Sequence, residues 1–94
     1  MTSALTIPTI HLNGTDAQRL LDALDAAGQA LQQAQAALAQ CTPNGRDYYV
    51  QAAGAFPKAI AEHEKRIDAL RQIRHELEII ADGIIDQQIA RGKQ

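Results

Sequence analysis

Large aromatic side chains are almost missing from this chain. Its 94 residues contain no tryptophan, and the only rings of that class are Tyr48, Tyr49 and Phe56. A core without large rings must be built from Leu, Ile and Ala, which suits helix packed on helix. Cys41 is the only cysteine. It excludes an intrachain disulfide and a cysteine-built zinc site, and it fits a reducing cytosol. No apolar run approaches the roughly 18 residues of a membrane helix. Residues 1–12 lack a basic segment, and Thr6, Pro8 and Thr9 interrupt their apolar residues, so no secretory signal is expected there. Net charge is -2 and the isoelectric point is near 5.8. That leaves no basic field for nucleic acid or membrane.

What remains is helix-forming sequence with two polar interruptions, and one domain at most over 1–94. Residues 1–12 read as an extended arm, because Pro8 fixes its own φ and disfavours helix at Ile7. Leu5, Ile7, Ile10 and Leu12 make the arm too apolar to hang free, so it should dock on a helix, its own or a neighbour's. The first helix is expected over 15–41. Thr15 and Gln18 match a capping box, and Asp16 suits the helix dipole. Its apolar stripe is Ala17, Leu20, Leu24, Ala27, Leu31, Ala34, Leu38 and Cys41, the 3–4 spacing of a coiled-coil seam. Gly28 inside it costs about 1 kcal/mol of helix propensity and marks a close contact or a bend. Pro43 ends the helix.

The connection spans 42–55. Pro43-Asn44-Gly45 is turn chemistry, Asp47 to Ala53 can make a short helical turn, and Gly54 breaks it. The second helix is expected over 56–90, with Pro57 suited to the first helical position and Gly92 as the stop. Its length is about 50 Å. Its stripe is Phe56, Ile60, His63, Ile67, Leu70, Ile73, Leu77, Ile80 and Ile84. Ile79, Ile85 and Ile89 widen that stripe beyond what one partner helix can cover. The expected fold is therefore all-α: an extended arm plus a long antiparallel helical hairpin. An isolated hairpin of this size is marginal, so the surplus isoleucines and the arm favour a homo-oligomer. The alternative is a compact three-helix monomer that uses 47–53.

Charge is placed unevenly. Eight of the nine Lys and Arg residues lie from Arg46 onward. Lys58, Lys65, Arg66, Arg71 and Arg74 occupy the first half of the second helix, and Glu76, Glu78, Asp82 and Asp86 follow. The helix dipole prefers the reverse. Lys65, Arg66 or Arg71 could form an anion site with the loops. A solvated face laced by Lys58–Glu62, Glu62–Arg66, Asp68–Arg71 and Arg74–Glu78 is the plainer account, and pairing between subunits is a third.

The interruptions carry the remaining chemistry. Asn13-Gly14-Thr15 precedes a helix N-terminus, where free N–H groups bind phosphate, although it is also simply a good helix start and Asp16 disfavours an anion there. Tyr48 and Tyr49 beside Arg46 suit stacking on a base and pairing with its phosphate. Adjacent turn residues point apart, so at most one tyrosine should stack. His63 and His75 point about 120° apart on one helix and His11 is on the arm, so no metal site is expected. His63 falls on the apolar stripe and reads as a hydrogen-bonded core residue. No nucleophile–base spacing, Walker loop or Rossmann glycine pattern is present. No enzymatic activity and no cofactor is expected.

Ile10-His11-Leu12-Asn13-Gly14-Thr15, then an Ala/Leu/Gln helix, then Pro43-Asn44-Gly45-Arg46-Asp47-Tyr48-Tyr49, resembles small proteins of tailed phages and prophages. In size and helical build the chain is similar to the phage anti-CBASS sponges. These are small helical proteins that assemble as hexamers and sequester cyclic di- and trinucleotide signals. That resemblance implies a non-enzymatic binder in the host cytoplasm with pockets between subunits. Its binding residues do not map onto this chain one by one, so the candidates come from chemistry alone. Arg46, Lys65 and Arg66 suit phosphates, Tyr48 or Tyr49 suits a base, and His11, Asn13, Gly14 and Thr15 suit base edges and close backbone approach. The competing expectation is a virion or protein-interaction module that lays a helix in a groove. DNA binding is disfavoured by the acidic isoelectric point.

Overall fold

In a computed structural model that describes residues 5–92, the chain is two helices joined by a short loop. Helix α1 is Ala17–Ala39, a 3-10 turn covers Gly45–Asp47, and helix α2 is Ala55–Gly92. The two helices pack antiparallel as a hairpin, and no strand occurs among the described residues. Expectations for residues 1–4 lie outside the described residues.

The helix starts differ from the capping-box expectation. Asp16, not Thr15, caps α1: its Oδ1 accepts from the Arg19 backbone N–H at 2.9 Å. A carboxylate suits the positive end of the helix dipole better than a hydroxyl. Gln18 turns forward to Asp22 instead of back to the cap. At the other end α1 stops at Ala39, before Cys41. Gln40, Cys41 and Thr42 wind off through tight turns, and the Thr42 hydroxyl donates to the Ala39 carbonyl at 2.7 Å. Helix α2 begins before Pro57, with Lys58 N–H donating to Gly54 O. Pro57 is tolerated in the third position because the first turn needs no N–H donors. Gly92 lies within the helix and does not end it before that residue. The short turn expected at 47–53 forms earlier, at Gly45–Asp47.

The seam keeps the 3–4 spacing, and Ala17, Leu20, Leu24, Leu31 and Leu38 of the expected stripe are buried or half-buried, but the positions alternating with them differ from the expected ones. Leu21, Leu24, Gly28, Leu31, Gln35 and Leu38 are half-buried on α1, while Ala27, Ala34 and Cys41 are exposed. On α2, Ile73 is 45 % exposed whereas Arg74, Leu77 and Ala81 are half-buried. The half-buried positions keep heptad spacing, so the difference is one of register: Gly28, Gln35 and Arg74 stand at the seam where Ala27, Ala34 and Ile73 were expected. Among the described residues Ile10, Ala17 and Ile84 are the buried apolar side chains, and of these Ile84 alone is fully buried. Leu20, Leu21, Leu24 and Ile80 pack against them.

The arm docks on its own α2. Gln87 clasps it with both ends of its amide: Nε2 donates to Pro8 O at 2.7 Å, and Oε1 accepts from the Ile10 N–H at 2.9 Å. Arg91 donates to Ile10 O at 2.6 Å. Gly83 makes the close approach possible, since a Cβ there would lie 2.7 Å from Ile7 Cγ2. Leu12 departs from the docking expectation. It sits at the tip of the turn closed by Gly14 N–H and His11 O and is 97 % exposed. No described helix is long and apolar enough to cross a membrane.

Candidate functional site

The sequence candidates fall at two ends of the hairpin. His11, Asn13, Gly14 and Thr15 form the turn before α1. Arg46, Tyr48 and Tyr49 stand in the loop after it. The 23 residues of α1 separate these groups by about 34 Å. One protomer does not bring them together.

At the arm end the His11 ring lies over Gly14. A Cβ on Gly14 would fall 2.8 Å from His11 Nε2, so only glycine fits without moving the ring. His11, Asn13 and Thr15 are exposed. The Asp16 carboxylate occupies the N-terminus of α1, where a phosphate would have to compete with it.

At the loop end Asn44 builds the local frame. Its Oδ1 accepts from Arg46 N–H at 3.0 Å, and Gly45 O then accepts from both Tyr48 and Tyr49 at 3.0 Å. This fixes the two tyrosines in different roles. Tyr48 is half-buried with its ring 6.1 Å from that of Phe56, and Phe56 in turn lies against Gly45. Tyr49 is 78 % exposed and Val50 76 %. Arg46 is exposed beside them. Tyr49 is thus the ring free to stack on a ligand, with the Arg46 guanidinium near in sequence to meet an anion.

Lys65 and Arg66 are exposed on α2, about 15 Å along the helix from Ala55. Among the described residues no hydrogen bond or ion pair joins them to the loop. Of the four ion pairs expected on α2, only Asp68–Arg71 forms, at 3.2 Å between side chains 61 % and 70 % exposed. Arg74 reaches across to Gln35 Oε1 at 3.5 Å instead. His63 is buried, with Nε2 3.4 Å from the Thr42 hydroxyl, in the core role its position on the stripe suggested. No group of three His, Cys, Asp or Glu side chains converges on a metal-sized site among the described residues.

The residues that sequence reasoning missed are Gly83, Gln87 and Arg91. Gln87 and Arg91 bond backbone groups of the arm, up to 81 positions away, and Gly83 lies against the Ile7 side chain. The one available signal was an isolated glycine inside a helix, which often marks close backbone packing. The chain matches no protein-family model, no curated protein and no solved structure.

Proposed function

We propose that this protein is a non-enzymatic homo-oligomer of the infected host's cytoplasm. It binds and sequesters cyclic oligonucleotide messengers of anti-phage signalling without cleaving them. The carrying observation is the loop end, where Tyr49 stands free on an Asn44-braced turn next to Arg46. A stacking ring and a guanidinium are what a nucleobase and its phosphate require. The exposed His11, Asn13 and Thr15 supply base-edge partners at the far end. Joining the two sets takes more than one chain, which supports pockets between subunits, with a hexamer as the assembly the phage resemblance implies. Lys65 and Arg66 add cations on the exposed side of α2.

The exposed Ile73, Ile85 and Ile89 favour a second reading, a phage structural or interaction module whose helical face covers a protein partner. Calorimetric titration with cyclic di- and trinucleotides separates the two. Tight binding with intact ligand recovered after heat denaturation is expected. No heat from any member of the panel would overturn the messenger reading and leave the interaction module.

A further inference from the structure

Helices α1 and α2 leave a groove along one side of their seam, with a cavity of about 360 Å³. Small-molecule sites begin at about this size. Leu24 on α1 and Leu77 and Ala81 on α2 give it apolar walls. Gly28 leaves a gap in the α1 wall, since nothing lies within 4 Å of the place a Cβ would take. The gap admits a planar ring between aliphatic side chains.

The polar groups decide which ring. Arg74 and Glu78 line the same wall one helical turn apart, about 5–6 Å between their Cβ atoms. They do not pair, since Asp68–Arg71 is the ion pair formed among the described residues. Arg74 is half-buried and reaches Gln35 at 3.5 Å. Asp25, on the facing wall, accepts from Gln29 through Oδ2 at 2.8 Å, which leaves its Oδ1 for another donor. Two carboxylates and one guanidinium thus face the groove. A phosphate or a fatty-acid head would meet both carboxylates, and a bare amine would meet Arg74. The set matches a neutral ring that carries two acceptors beside two donors. Guanine is the nucleobase with that pattern: N7 and O6 accept, and N1–H and the N2 amine donate. A guanidinium bonded to both O6 and N7 is the commonest specific contact to this base. A carboxylate takes two parallel N–H donors in the same way. Adenine has no ring N–H beside its amine and would leave Glu78 half satisfied. The open oxygen of Asp25 suits a ribose hydroxyl, the partner carboxylates take in dinucleotide sites.

We propose that the seam groove binds the guanine base of a nucleoside or nucleotide, with Arg74 donating to O6 and N7, Glu78 accepting from N1 and N2, and any phosphate held outside. The site is separate from the loop end that carries the proposed function, and one chain completes it.

Calorimetric titration of the full chain with neutral nucleosides tests it. Guanosine should bind. Inosine, which lacks the N2 amine, and the guanosine analogue with carbon in place of N7 should each bind roughly tenfold more weakly, and adenosine more weakly still. Glu78→Gln, at an exposed position, should weaken guanosine roughly tenfold and narrow its lead over inosine. Gly28→Leu has room for its side chain and should abolish binding by filling the gap, with helical circular dichroism retained. The analogues change only the ligand, so they read the same contacts where a variant fails to fold. No heat with guanosine, equal affinity for guanosine and adenosine, or unchanged guanosine affinity in folded Glu78→Gln or Gly28→Leu would each overturn the site. Messenger titration is read separately. Messengers bound by a protein that ignores guanosine sink this site alone, and guanosine bound by a protein that takes no messenger sinks the proposed function alone.

Discussion

The two ends of the hairpin are built on opposite plans. At the arm end Ile10, Ala17 and Ile84 make a small dry cluster, and Gln87 and Arg91 stitch the arm's backbone over it. At the loop end the buried group is a histidine with a hydroxyl neighbour, and Tyr49 and Val50 stand in solvent. Apolar burial is the main stabilising term in folding, so stability is concentrated where the arm lies. The loop end is braced by its own turn hydrogen bonds and is free to carry recognition, as loops on rigid elements do. A hairpin with one stapled end can change its other end without losing its fold.

The largest effect that can break this comparison is a truncation of Ile84, which is 0 % exposed. Ile84→Ala should cost about 2–5 kcal/mol, lost transfer energy plus a cavity. For a domain of this size each kcal/mol lowers Tm by about 4–8 °C. Ile60→Ala, at a half-buried position near the loop end, should cost clearly less. Thermal unfolding of both variants at equal protein concentration decides. Equal losses would show that the hairpin is held evenly along its length.

A smaller effect isolates the arm. Gly83→Ala favours the helix by about 1 kcal/mol, yet its methyl would lie 2.7 Å from Ile7 Cγ2. Gln87→Ala removes both amide hydrogen bonds to the arm, each worth about 0.5–1.5 kcal/mol net. The two variants should differ in global stability, and both should free the Ile10 amide. Hydrogen exchange at Ile10 is the measurement, and faster exchange in both is expected. Protection that survives both changes would mean the arm is held elsewhere.

The contrast between the ends was only partly legible in the sequence. The helices were readable because Ala and Leu recur with a helical period and Pro and Gly mark the breaks. Ends shifted by one or two residues where a stronger local partner won, as Asp16 did over Thr15. The seam shifted register because Ala27 and Gly28 are adjacent and both small, so apolar pattern does not separate them, and because Gln35 holds its seam position by accepting from Arg74 across the helices, a polar contact no apolar pattern reveals. Gln87 and Arg91 were not readable at all. They recognise backbone N–H and C=O groups, which every residue carries, on a segment 77 or more positions distant. The division of labour between the tyrosines was also hidden, since the phase of a 3-10 turn determines which ring meets Phe56.

That division gives the smallest stability effect and the sharpest test of the open end. Tyr48→Ala removes a ring pair with Phe56 and should cost about 0.5–1.5 kcal/mol beyond the area lost. Tyr49→Ala removes an exposed ring and should stay within about 0.5 kcal/mol of the parent. Binding should rank the other way. Base–aromatic stacking is worth about 1–3 kcal/mol, so Tyr49→Ala should weaken messenger affinity by roughly tenfold or more while its unfolding curve overlays the parent's. Paired calorimetric titration and thermal unfolding read both quantities on one preparation. If Tyr49→Ala instead lowers Tm as far as Tyr48→Ala, its ring is covered in the assembled protein, and the free end of this hairpin is an interface between subunits.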